Sequence, residues 1–135
     1  MYKYIFLTYR SRSGSTLLAS LLNNFPEICS CPEAEILSKL FLRGNAKNRV
    51  SNETIKLLEK AMTLDSKLSF WNLKLSDLDI KFENKPSKEE LLFSILRAYG
   101  KKNKPNATVI VFKGAILDDY LRNCCKKQEH FRDDL

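Results

Sequence analysis

Much that would assign a function outright is missing from this chain of 135 residues. No stretch approaches the ~20 consecutive apolar residues of a membrane-spanning helix. Nothing like a leader precedes the first apolar segment, because Met1-Tyr2-Lys3 runs straight into it, and no signal peptide is expected. Cysteine is scarce and poorly placed for bridging or metal binding: the 4 cysteines stand as Cys29-Ser30-Cys31 and Cys124-Cys125. Neither pair has the spacing of a zinc knuckle, and adjacent or next-but-one cysteines rarely bridge each other. Free thiols in a reducing compartment are expected, which places the protein in the cytoplasm. Acidic residues are the minority, 16 against 23 lysines and arginines, for a formal charge of +7. That balance favours anionic partners such as nucleotides, acidic sugars, nucleic acid or membrane surfaces. The lysines are scattered rather than clustered, so nucleic acid is not the expected one.

What is present suits one modest domain, and a hydrophobic content of 44% fits a packed core. The chain is organised around residues 2–24. Tyr4 to Thr8 reads as a buried strand, Tyr9 to Gly14 as a polar loop, and Ser15 to Asn24 as a helix. Gly14 lets backbone approach an oxyanion with no Cβ in the way. The first N–H groups of the helix lack intrahelical partners and carry the positive end of its dipole. Ser15 and Thr16 add hydroxyls, and Arg12 adds a planar fork suited to phosphate or sulfate oxygens. An ordinary P-loop has Gly, four residues, then Gly-Lys-Ser/Thr. Here Tyr9 stands at the first glycine position and Ser15 at the lysine. The cation has moved to Arg12, which suits a 5′-phosphate better than the terminal phosphate of ATP. The plainer alternative is a serine-rich turn capping a core helix.

Arg12-Ser13-Gly14-Ser15-Thr16-Leu17-Leu18 resembles the 5′-phosphosulfate loop of PAPS-dependent sulfotransferases, most closely their bacterial and carbohydrate-directed branch. The resemblance implies an α/β, P-loop-like three-layer sandwich around a parallel sheet. It implies PAPS as cosubstrate, PAP as product and a hydroxyl-bearing acceptor, carbohydrate or similar. Arg12, Ser13, Gly14, Ser15, Thr16 and Leu17 would then line the cofactor, with Arg12 also steadying the transferred group. No metal is required.

The helix after the loop places Leu17, Leu18, Leu21, Leu22 and Phe25 on one stripe, expected to pack on the sheet. Pro26 ends it. Glu27 to Cys31 reads as a second strand and Pro32 to Leu42 or Arg43 as a second helix, hence a parallel sheet with a right-handed crossover. Ligands in such sheets sit beyond the carboxyl ends of the strands. Glu35-Ile36-Leu37 looks like the run that supplies the general base in the resembled family. Glu35 is therefore the first candidate and Glu33 the second, for taking the acceptor hydroxyl's proton. Both also suit the first turn of a helix, where negative charge is favourable.

Residues 44–86 read as a variable, acceptor-side helical and loop region. Ser51 caps a helix through Ile55, Leu58 and Met62. Phe70 and Trp71 could stack on a sugar, although an isolated tryptophan is more often core. Ser87 and Glu90 form a capping box for a helix that Gly100 would stop. Lys101 to Asn106 reads as a basic, solvated loop. Ala107 to Phe112 reads as a central strand buried on both faces. The Phe112-Lys113 pair at its end resembles one in the same sulfotransferase branch. Lys113 would stabilise the sulfuryl oxygens or the leaving phosphate, or else simply cap the strand end. Asp118 to Lys127 reads as a last helix, with a frayed tail at 127–135.

The arginine and serine that hold the 3′-phosphate of PAPS in that family have no counterpart here. Arg122 and Arg132 lie in or after the last helix, and no serine follows them. The chain thus resembles the amino-terminal half of the fold. It would be a split or truncated gene product, a chain completed by a second chain, or a shortened relative with another ligand. A P-loop kinase-like nucleotide binder and a non-catalytic relative are the alternatives to an active sulfotransferase.

Overall fold

In the computed structural model, the described residues are 2–7, 15–41, 47–64 and 67–113. They form a mixed α/β unit in the order β1 (Lys3–Leu7), α1 (Ser15–Leu22), β2 (Ile28–Ser30), α2 (Glu35–Phe41), α3 (Asn52–Thr63), α4 (Lys88–Asn103) and β3 (Val109–Lys113). Three short 3₁₀ turns, Lys67–Trp71, Leu75–Asp77 and Phe82–Asn84, join α3 to α4. The sheet is wholly parallel, with β3 between β1 and β2. Ala107 to Phe112 therefore holds the central place that its β-branched run predicts.

Register divides the sheet into two faces, because successive strand residues point to opposite sides. Tyr4 pairs with Ile110 and Phe6 with Phe112. This set meets α4: Tyr4 and Phe6 both contact the Phe93 ring, at centroid distances of 4.6 and 5.9 Å. Ser30 and Val111 lie on the other face, where the Ser30 hydroxyl donates to the Ala19 carbonyl of α1 at 2.8 Å. The core lies on the α4 side, where Leu37, Phe41, Leu58, Trp71, Leu92 and Ile95 are fully buried.

Local signals explain the elements around it. The Ser87 hydroxyl accepts from the Glu90 amide at 3.1 Å, while the Glu90 carboxylate accepts from the Ser87 amide at 3.2 Å. Ser51 caps α3 by accepting from the Thr54 amide at 3.2 Å. Arg97 donates to both Asp79 carboxylate oxygens, from Nε at 2.8 Å and from a terminal nitrogen at 2.9 Å. Ser94 adds a hydroxyl at 2.6 Å, so the irregular 3₁₀ segment is tied to α4. Arg97, and secondly Ser94, hold the Asp79 carboxyl well below the usual carboxylate range.

Several expectations are corrected. Gly100 does not stop α4, which continues to Asn103. The glycine is a packing residue instead: a Cβ there would stand 3.3 Å from the Ile110 side chain, so its absence lets helix and strand approach. Phe70 and Trp71, the two candidate stacking residues, separate within the 3₁₀ turn Lys67–Trp71. Trp71 is buried and Phe70 is 85% exposed. The α1 stripe does not pack on the sheet. Leu17 is 65% exposed and Leu18, Leu21 and Phe25 are about half exposed, while the small Ala19 faces inward. The basic loop is built into the fold: Lys101 lies 3.7 Å from Asp79, Lys102 donates to the Asn72 carbonyl, and Lys104 holds three carbonyls. Its ammonium reaches those of Asn23, Phe25 and Ile28 at 2.5, 2.9 and 2.6 Å, closing the end of α1 against β2. Among the described residues, no helix is long and apolar enough to cross a membrane. The expected helix from Asp118, with Arg122, Arg132 and Cys124-Cys125, lies outside the described residues.

Candidate functional site

Parallel strands bring their carboxyl ends to one edge, and the segments that leave them inherit that position. Leu7, the last residue of β1, is paired with Lys113, the last of β3. The chain leaving β1 towards Arg12 therefore starts beside Lys113. Arg12, Ser13 and Gly14 lie outside the described residues. Ser15 and Thr16 form the first turn of α1, as the strand–loop–helix reading requires. Leu17 follows on the exposed side of that helix.

At this edge a cleft of about 380 Å³ opens between α1 and the segment that follows β2. Ala19, Ser20 and Asn23 of α1 form one wall. Cys31, Pro32 and Glu33 form another, with Lys113 at the end of β3 and Tyr99 from α4 closing it. The walls are fixed to each other by polar contacts. The Ser30 amide donates to the Asn23 side-chain oxygen at 2.9 Å, in addition to the Ser30 bond to Ala19. Two of the residues expected to carry chemistry, Glu33 and Lys113, thus line the same cleft, although they are 80 positions apart in sequence.

The two glutamates are placed differently. Glu33 precedes α2, its side chain is 26% exposed, and the Lys67 ammonium lies 4.0 Å away. Glu35 is the first residue of α2, is 57% exposed, and lies 3.9 Å from Lys39 one turn on. It lines a neighbouring groove of about 260 Å³ with Ala34, Ile36, Lys39 and Lys67. Sequence resemblance ranks Glu35 first, yet Glu33 is the one that shares a cleft with Lys113. The helix expected from Pro32 begins only at Glu35, and Cys31 to Ala34 stay non-helical, which leaves Glu33 on the segment between β2 and α2.

Lys113 is buried at 7% exposure. A lysine held this far from water presents its charge through less screening than a surface lysine would. A carboxylate and an ammonium facing one cleft can serve as proton acceptor and as stabiliser of developing negative charge.

Sequence reasoning misses Ser20, Asn23, Ser30 and Tyr99, since none belongs to a motif. The period of two in Cys29-Ser30-Cys31 does contain a signal. Cys29 and Cys31 share a face, both thiols are free and buried, and they contact each other. That contact, with the Lys104 ammonium, brings the Cys29 thiol down, whereas burial pushes the Cys31 thiol well up. Burial also raises the Tyr99 hydroxyl.

Compared with known proteins, the chain matches no family model, and no curated protein or solved structure is significantly similar to it.

Proposed function

We propose that the chain is a PAPS-dependent sulfotransferase, or the amino-terminal portion of one, acting on a hydroxyl of a carbohydrate or similar acceptor. In this reading the fold is a P-loop-like sandwich, and Arg12 to Leu17 hold the 5′-phosphosulfate. Glu33 takes the acceptor proton, with Glu35 as the alternative base. The acceptor oxygen attacks sulfur, the bond from sulfur to the phosphate oxygen breaks, and PAP departs. Lys113 and Arg12 stabilise the negative charge on the sulfuryl oxygens and the leaving phosphate. The observation that carries the reading is the shared cleft of Glu33 and Lys113 against Ala19, Ser20 and Asn23 in and just after the second half of α1. A cytoplasmic location belongs to the same reading, in keeping with the free Cys29 and Cys31 thiols.

The test is calorimetric titration with PAP, using ATP–Mg²⁺ as control. Micromolar PAP binding, absent in Arg12→Ala and without response to ATP, is expected. In a transfer assay Glu33→Gln should lose ~10²–10⁴-fold in turnover, the usual range for a positioned base, with PAP affinity unchanged. A response confined to ATP–Mg²⁺ would return the chain to the kinase-like class.

One observation favours a second reading, a non-catalytic or incomplete relative that needs a further chain. β1 is an edge strand among the described residues, and the apolar side of α1 is exposed. Folded protein that ignores PAP until a partner is added would support that version.

A further inference from the structure

We propose that Cys29 and Cys31 form an oxidisable dithiol, which a small hydroperoxide closes to a disulfide, loosening the α1 wall of the cleft. The site lies apart from the phosphate loop and stands whether or not the chain binds PAP. Both thiols are free and buried, at 2% and 4% exposure. They flank Ser30 on an extended segment, so their side chains share one face. There the two thiols are in hydrogen-bond contact. Cys31 also lines the cleft of about 380 Å³. That space admits hydrogen peroxide, a molecule little larger than the ~30 Å³ of a water.

Cys31 is the sulfur that an oxidant in the cleft meets, and Cys29 is the one that resolves it. Cys31 Sγ attacks a peroxide oxygen, the O–O bond breaks, and Cys31 keeps a hydroxyl as a sulfenic acid. The departing hydroxide takes the thiol proton and leaves as water. Cys29 Sγ then attacks Cys31 Sγ, the S–S bond forms and the S–O bond breaks. The hydroxide released takes the Cys29 proton. Two thiols have lost two protons and two electrons, and one hydrogen peroxide has become two waters. Burial keeps the Cys31 thiol protonated, so the first step is the slow one. The contact with Cys31, with the Lys104 ammonium, favours the thiolate of Cys29, the form that attacks in the second.

Closure reaches the cleft through Ser30. Cα atoms two residues apart on a strand are separated by ~6.4–6.8 Å, at the upper end of the ~4.4–6.8 Å that a disulfide spans. The Cβ atoms must also come within ~3.5–4.5 Å of each other, so the bridge bends the backbone at Ser30. That residue ties β2 to α1, its amide donating to Asn23 Oδ1 at 2.9 Å and its hydroxyl to the Ala19 carbonyl at 2.8 Å. The chain on either side is anchored. Lys104 holds the Ile28 carbonyl at 2.6 Å, and the Cys31 amide donates to the Val111 carbonyl at 2.9 Å. The strain therefore falls on the Ser30 bonds. A strained bridge is also one that glutathione reopens readily.

The test uses the full chain carrying Cys124→Ser and Cys125→Ser, treated with hydrogen peroxide and then unfolded in N-ethylmaleimide. The tryptic peptide that holds both remaining cysteines should lose the mass of two hydrogens and take up no maleimide. Reduced glutathione should restore both thiols. The Ser30 amide should exchange with solvent about tenfold faster in the oxidised form, as a locally opened amide does. Adding Cys29→Ser should stop the reaction at an oxygen on Cys31 and keep Ser30 exchange slow. Thiols that survive peroxide, a peptide that gains oxygen without closing, or a bridge between two chains would each overturn the proposal. So would a closed bridge with Ser30 exchange unchanged, or faster exchange in the peroxide-treated Cys29→Ser chain.

Discussion

On one face of the sheet, Ile110 and Phe112 are fully buried under α4. On the other, Leu17, Leu18 and Leu21 of α1 face solvent, and Ile5 of the edge strand is 39% exposed. The same three strands thus hold a dense core on one side, and on the other a cover that buries Val111 at the centre but leaves the α1 leucines and the β1 edge exposed. On the proposed reading, the difference separates stability from function. The α4 face carries the apolar burial that holds the fold together. The carboxyl end of β3 carries Lys113, which shares a cleft with Glu33. A loosely covered side leaves polar groups reachable by a ligand, as binding sites on a rigid scaffold need.

The largest expected effect comes from cutting into the packed side. Phe112→Ala removes a fully buried ring that meets Phe6 at a centroid distance of 6.3 Å. A loss of about 3–5 kcal/mol is expected, read as a shift in the urea midpoint. Against a total stability of ~5–15 kcal/mol this approaches the limit of folding. A loss under ~1 kcal/mol would mean that the α4 face is not the stabilising one.

A smaller effect is expected at the edge of the same core. Arg97 and Ser94 hold the Asp79 carboxyl below its ordinary value. A depressed carboxylate stabilises the fold above its unfolded pKa of about 3.9, and that contribution disappears as pH falls through the lower folded value. Asp79→Asn should therefore cost about 1–2 kcal/mol at pH 7, a figure reduced for the 36% exposure of the carboxylate side chain. The gap between wild type and variant should narrow below pH 4, where Asp79 takes up a proton in the unfolded chain while the folded carboxylate is still held ionised. A gap that stays constant from pH 7 to pH 2 would show that shape, not charge, ties the 3₁₀ segment to α4.

These elements were unequally legible in the sequence. The capping box at Ser87 and the β-branched run ending at Phe112 are local, and both are found where propensity puts them. At Gly100 the sequence is ambiguous, because a helix-terminating glycine and a glycine that admits a strand look alike until Ile110 is placed against it. Lys104 looked solvated because no local pattern says that three carbonyls from residues 23–28 converge on it. The cleft was half legible. Motif resemblance named Glu33 and Lys113, but their meeting depends on β3 inserting between β1 and β2. Ser20, Asn23 and Tyr99 join only through that topology. The α1 stripe failed for a related reason. Helical period shows that five apolar residues share a side, not whether anything covers it.

That stripe gives the smallest expected effect and the sharpest check on the comparison. Leu21 is about half exposed at the middle of the α1 patch, and surface substitutions away from packing contacts usually stay within about ±0.5 kcal/mol. Leu21→Ser should therefore leave the urea midpoint almost unchanged, apart from the few tenths of a kcal/mol of lower helix propensity. It should also reduce binding of a hydrophobic dye, since it shrinks an exposed apolar patch. A loss of ~2 kcal/mol or more would mean that this leucine is buried in solution, as the transfer and cavity terms of a core site would then apply. If that loss grew with protein concentration, the cover would come from another molecule, because association stabilises by mass action. A loss independent of concentration would place the cover within the chain itself. In either case the thin side of the sheet would belong to a larger core, and the edge carrying Glu33 and Lys113 would be more enclosed than the described residues make it.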